Sequence, residues 1–153
     1  MPTIKLKQIH SKAISPVKGS GGAACYDLFA VTDCEIKPGE MVCLRTGWEI
    51  EIPPDHALMI YSRSGQGFNS KVTLVNGTGV IDSDYRGEVA VGLQNNGSET
   101  YFQPYGKAVA QAMLIYVPLT TLDVTDELSE TERGANGFGS TDGSPIMASP
   151  HLK

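Results

Sequence analysis

Apolar and polar residues alternate along this chain in short runs separated by glycine, proline and asparagine, a period of two that predicts strands rather than helices. Ile4-Lys5-Leu6-Lys7-Gln8-Ile9 alternates in this way and predicts a half-buried first strand. Ser15 to Gly22 reads as a loop, and Ala23 to Ala30 as an apolar segment interrupted by Asp27. Lys37-Pro38-Gly39-Glu40 is a turn, after which Met41 to Ile52 predicts a long strand, broken near Thr46-Gly47 and ended by Pro53-Pro54. Ala57 to Tyr61 predicts a short strand running into Ser62-Arg63-Ser64-Gly65. Val72 to Val75 and Val89 to Val91 predict the two sides of a hairpin arm. Asn96-Gly97 predicts a tight turn before a returning strand at Tyr101-Phe102-Gln103, and Gly106 to Val117 is apolar enough to be a central strand.

The arm holds the densest chemistry, Gly79-Val80-Ile81-Asp82-Ser83-Asp84-Tyr85-Arg86-Gly87-Glu88. Strand-forming residues lead into Asp82, which places its carboxylate at a strand end and half shielded, where it can act as a base. Tyr85 offers a flat amphipathic ring, and Gly77, Gly79 and Gly87 allow backbone to approach a ligand. The plainer reading is a surface turn, with Asp-Ser-Asp capping its own backbone and Asp84 paired to Arg86.

Three further polar residues interrupt otherwise apolar stretches. Asp27 either bonds backbone amides at a strand crossing or serves a site, since a carboxylate among hydrophobes needs a partner. Gln111 is either a satisfied core amide or a ligand contact. Arg63 with Ser64 and the exposed backbone of Gly65 makes a compact anion site.

Length and composition narrow the class. The 153 residues suffice for one domain with its own core, and 17 glycines with 9 prolines favour an all-β chain of many turns. A net charge of −5 and a pI near 5.1 argue against a sequence-independent hold on nucleic acid, so no direct nucleic-acid binding is expected. No signal-like start or membrane-length apolar run is read, and the chain reads as a soluble, cytoplasmic-type protein. Cys25, Cys34 and Cys43 lack zinc-site spacing and read as free thiols, and His10, His56 and His151 as solvated or hydrogen-bonded rather than metal-binding.

Beyond Asp123 the composition turns acidic and then glycine-rich, ending in Arg133-Gly134-Ala135-Asn136-Gly137-Phe138-Gly139-Ser140-Thr141. Read alone, this is a disordered tail; an arginine on phosphate and a ring on a base could make it a lid.

Taken together, Ala24-Cys25-Tyr26-Asp27-Leu28, Arg63-Ser64-Gly65, the Gly79 to Glu88 arm, Gly106 to Gln111 and the Arg133 to Thr141 stretch resemble, in order and spacing, the five motifs of the trimeric deoxyuridine triphosphate nucleotidohydrolases (dUTPases). Cys25 stands where that family usually has glycine, and Asp142 departs from a further glycine. The resemblance implies a distorted jelly-roll-like β-barrel over residues 1–126 and a flexible C-terminal arm over 127–153, with the lid motif at 131–141. It also implies a homotrimer with sites shared between subunits.

The implied activity is hydrolysis of dUTP to dUMP and pyrophosphate by water attack on the α-phosphorus, which limits uracil in DNA and supplies dUMP for thymidylate synthesis. Asp82 would be the base, and Asp27 would hold Mg2+ through water while the triphosphate supplies most of the metal's ligands. Arg63, Ser64, Gly65, Gln111 and Arg133 would align phosphates. Asn76, which is otherwise a turn residue, would join Gly79, Val80 and Ile81 against uracil, with Tyr85 beneath the sugar. Phe138, Gly139 and Ser140 would close the lid. A dCTP deaminase shares this fold, but carries a catalytic glutamate where this chain has Gly92. A nucleotide-binding regulator and a ligand-free barrel are the remaining rivals.

Overall fold

The structure, a computed structural model, describes residues 1–136. The chain divides into two compact units, Met1–Leu119 and Thr120–Lys153. The first carries ten strands and one short helix: β1 (Lys5–Gln8), β2 (Tyr26–Phe29), β3 (Cys34–Ile36), β4 (Met41–Glu51), β5 (His56–Tyr61), α1 (Ser64–Ser70), β6 (Val72–Leu74), β7 (Gly79–Ile81), β8 (Glu88–Asn95), β9 (Tyr101–Gln103) and β10 (Ala108–Tyr116). Two four-stranded sheets, ordered β1-β4-β8-β6 and β2-β10-β5-β7, accompany a two-stranded β3-β9 ribbon. All the pairings within them are antiparallel, and the fold is all-β and jelly-roll-like.

Alternation builds the core. Val89, Val91 and Leu93 of β8 face inward with Leu44 and Ile50 of β4, against Leu28, Leu58, Ile60 and Ala112 from the second sheet. β10 lies between β2 and β5 and begins with both faces covered, since the consecutive Ala108, Val109 and Ala110 are all buried, and it therefore reads as a nearly unbroken apolar run. Burying a Leu or Val side chain contributes about 1.5–3 kcal/mol, so this sandwich interior is what stabilises the unit.

The interruption in β4 is a bulge. Its register against β8 shifts between Arg45 and Glu49, and Gly47 sits there at φ +78°. Glu88, at the start of β8, fastens the bulge: its carboxylate accepts Arg45 Nε at 2.6 Å and the Gly47 amide at 2.8 Å.

Three expectations change on contact with the structure. The first strand is exposed throughout, because β1 is an outer strand joined only to β4, with Lys5 and Lys7 paired to Glu51 and Glu49. The two sides of the arm do not form a simple hairpin. β6 pairs with the far end of β8, Leu74 opposite Leu93, while the chain between them crosses to the other sheet and pairs β7 with β5. Asn96-Gly97 does not close a two-residue hairpin either, since β9 pairs with β3. The buried Asn95 side chain redirects the chain there, donating to the carbonyls of Ile36 and Glu99 and accepting from the Gly97 amide. The helix α1 and the strand β3 have no counterpart in the sequence reading.

In the second unit, residues 120–136 contain no strand or helix. Short local bonds shape them: Thr131 accepts from the Gly134 amide, and Arg133 donates to the Asn136 carbonyl at 3.0 Å. Leu122, Val124 and Leu128 are exposed. Phe138, Gly139 and Ser140 lie outside the described residues. No helix among the described residues is long and apolar enough to cross a membrane.

Candidate active site

Sheet register assembles one half of the site. Gln111 on β10 stands opposite Asp27 on β2 and opposite Tyr61 on β5, so Asp27 and Gln111 share a face and Arg63 follows two residues beyond their row. The Gln111 amide donates to the Ser62 carbonyl at 2.9 Å, while the Ser62 hydroxyl accepts from the Leu74 amide. The residue before Arg63 is thus held from two sides, which aims the guanidinium.

Arg63 is the extended residue before α1, and its Nη1 forms an ion pair with Asp27 Oδ1. The contact is one of charge rather than an aligned hydrogen bond, and this buried Nη1 has no hydrogen-bond partner among the described residues. Asp27, Arg63, Ser64, Gly65 and Gln111 line a single cleft of about 290 Å³. The open alternatives for two residues meet here: Asp27 is satisfied by a guanidinium, and Gln111 bonds a carbonyl while still lining the cleft. Gln66, Tyr101 and Lys107 line it as well, and the sequence reading missed all three. Gln66 carried a signal, an amide three residues after Arg63, that becomes meaningful only once α1 is known to turn it inward.

The other half lies on the outer strand β7. Asn76 occupies the turn before it, where its carbonyl accepts from the Thr78 amide at 2.7 Å; its side-chain Nδ2 lies 3.7 Å from where a Gly79 Cβ would be. Ile81 packs on the core while Val80 points out. Asp82 follows at the strand end, but in the single chain it is exposed, not half shielded. The reason is topological: β7 is the last strand of its sheet, and no further strand among the described residues pairs beyond it.

That turn is nonetheless well fixed. The Asp82 carbonyl accepts from the Tyr85 amide, and Arg86 donates to the carbonyls of Ser83 and Tyr85 instead of pairing with Asp84. The Tyr85 hydroxyl donates to the Glu88 carbonyl at 2.9 Å. Its ring lies over Gly87, where a Cβ would fall 2.4 Å from the hydroxyl oxygen. Gly87 therefore makes room for Tyr85 itself rather than for a ligand.

Among the described residues no group of three or more His, Cys, Asp or Glu is placed to hold a metal. The cleft offers one carboxylate, Asp27, which is too few ligands for a protein cage. It fits a hydrated divalent cation that draws most of its ligands from outside the protein.

Comparison with known proteins identifies the family. The dUTPase family model matches residues 11–142. A deoxyuridine 5'-triphosphate nucleotidohydrolase of Nautilia profundicola is 40% identical over 138 residues, which cover 90% of this chain and 97% of that protein. One from Methylocella silvestris is 40% identical over 150 residues, covering 94% of each. Among solved structures, a variant of the dUTPase of Staphylococcus bacteriophage 80alpha with dUpNHpp superposes with a TM-score of 0.85 at 22% identity, over 91% of this chain and 98% of that one, and shows the fold. A dUTPase variant from phage phi11 of S. aureus, described for its coordination of a structural Mg(II) ion, superposes at 0.77 with 20% identity over 84% of this chain and 99% of that one. Similarity over nearly the whole length, on a jelly-roll-like fold, establishes that the chain belongs to the dUTPase family.

Proposed function

We propose that this chain hydrolyses dUTP to dUMP and pyrophosphate, water attacking the α-phosphorus, and so limits uracil in DNA while supplying dUMP for thymidylate synthesis. The observation that carries the reading is the cleft. In a chain of the dUTPase family, a guanidinium, a hydroxyl and exposed backbone from one stretch and an amide from a second converge on one space with a single carboxylate from a third beside them.

Asp27 and Arg63 neutralise each other in the chain alone. A triphosphate competes for the guanidinium, and charge-assisted bonds to phosphate are strong enough to win it. Arg63, Ser64, Gly65 and Gln111 then align the phosphates, and Asp27, freed of the guanidinium, is the residue that would hold Mg2+ through water. When bound, that ion supplies charge neutralisation on the triphosphate oxygens.

The outer edge of β7 suits a base. Gly79, Val80 and Ile81 pair with β5 on one side only, and backbone N–H and C=O groups on the other side are available to the Watson-Crick edge of uracil, with Asn76 adjacent. Tyr85, its hydroxyl engaged by Glu88, presents a fixed ring under the sugar. Asp82 deprotonates or orients the attacking water. A homotrimer that lays this turn beside another subunit's cleft supplies both the shielding that Asp82 lacks in one chain and the phosphate-binding groups. Arg133 with Phe138, Gly139 and Ser140, on an arm spanning 127–153, closes the site over uracil and the phosphates.

The test is pyrophosphate release from dUTP, dTTP, dCTP and UTP, with and without Mg2+. Release from dUTP alone, dependent on the metal, is expected. Comparable release from UTP or dTTP, or ammonia from dCTP, would overturn the reading.

A further inference from the structure

Among the described residues, three charged side chains line the cleft: Asp27, Arg63 and Lys107. The first two form an ion pair and cancel. Lys107 is therefore what makes the cleft net positive, and its ammonium is in none of the ion pairs formed among the described residues.

Its position is built rather than incidental. The Lys107 ammonium stands 5.8 Å from the centroid of the Tyr101 ring, within cation–π range. The Tyr101 hydroxyl donates to the buried Gln103 Oε1 at 3.1 Å, and the Gln66 amide of α1 donates to the same oxygen at 2.9 Å. Gln103 Nε2 in turn donates to the Lys107 carbonyl at 2.8 Å. Gln66 and Gln103 are 5% and 0% exposed, so each of these bonds is made where an unsatisfied amide is costly. The result is a clasp: the helix that follows Arg63 and the turn that carries Lys107 are tied to one another through two buried amides and one phenol.

We propose that Lys107 is a further phosphate-contacting residue of this site, specific for the polyphosphate part of the nucleotide, and that the Gln66–Gln103–Tyr101 clasp is the device that positions it. This rests on the dUTP reading above. A polyanion that draws the guanidinium away from Asp27 gains a second cation in the uncancelled ammonium of the same cleft, whereas a nucleoside monophosphate held mainly through its base and sugar gains little.

The experiment is calorimetric titration of the full chain with dUpNHpp and with dUMP, for wild type, Lys107→Gln and Lys107→Arg. Lys107→Gln is expected to weaken dUpNHpp about tenfold, the size of one charge-assisted contact, and to leave dUMP within about twofold. Lys107→Arg is expected to restore most of the loss. Gln66→Leu, which opens the clasp without removing the cation, is expected to weaken dUpNHpp in the same sense and to add little when combined with Lys107→Gln. Unchanged dUpNHpp affinity in Lys107→Gln, or equal loss for both ligands, would overturn the contact. Fully additive losses in the double variant would remove the clasp from it. Folded wild type that fails to bind dUpNHpp would bring down the dUTP reading, and this proposal with it.

Discussion

Gly47 and Gly39 form a natural pair of controls for what the β4 bulge demands. Both have left-handed backbones, φ +78° and +77°. Around Gly39 no atom lies within 4 Å of a notional Cβ, whereas at Gly47 that Cβ would fall 2.7 Å from Ala13 Cβ, 2.9 Å from His10 Cβ and 2.9 Å from Val31 Cγ1. Gly39→Ala thus carries only the left-handed penalty of a side chain, roughly 1–2 kcal/mol. Gly47→Ala carries the same penalty plus the overpacking of three side chains with little room to give, typically about 1–3 kcal/mol more. The expected losses are about 1–2 and about 2–5 kcal/mol. With a urea slope of about 2 kcal/mol/M, the midpoints fall by roughly 0.5–1 M and 1–2.5 M at unchanged slope. Urea unfolding is followed at one fixed protein concentration, because assembly stabilises the folded chain by mass action. Equal shifts for the two variants would show that the crowding around Gly47 relaxes freely, and would refute the assignment of the bulge as a rigid point of the sheet.

Asp82→Asn is expected to keep dUTP binding while slowing hydrolysis at least ~100-fold, the usual size of a general-base effect; near-normal turnover would exclude Asp82 from that role. A chain ending at Glu132 retains every strand and is expected to unfold within ~0.5 kcal/mol of the full chain, with turnover severely reduced; loss of folding would make the tail structural. Cys34 is half-buried, and its pKa is raised, chiefly by burial and further by Glu40, Asp33 and Glu35. It holds its proton to higher pH, so iodoacetamide should label exposed Cys43 well before Cys34 at neutral pH, the gap narrowing as pH rises through the raised value. Equal rates at neutral pH, read by mass spectrometry of peptides cleaved after glutamate so that Cys34 and Cys43 fall on different fragments, would contradict that.

The strands of the core were legible because their apolar residues repeat every second position over enough length, as in β8 and β10, and the bulge was legible because Thr46-Gly47 breaks a long run. The pairing of the arm was not. Val72 to Val75 and Val89 to Val91 are equally apolar, and nothing local says that Leu74 faces Leu93 or that β7 joins β5; those choices are set by distant sheet neighbours. Of the candidate site, the cleft residues were readable as polar interruptions of apolar strands. Asp82 was placed correctly at a strand end, but its exposure depends on β7 being outermost, a property of the whole sheet. Lys107 had no local signature, and the spacing of Gln66 from Arg63 acquires meaning only once α1 and β9 bring the two together.

The Glu88 fastening has a practical reach. The direction in which the Asp82 turn leaves the sheet is fixed at its foot by a carboxylate that grips Arg45 and Gly47, residues of a different strand more than forty positions earlier. A graft of residues 79–88 onto another β-scaffold would carry every reactive side chain of the turn and lose its bearing. An engineer seeking to re-aim this loop should start in the bulge of β4, leaving the loop's own sequence alone.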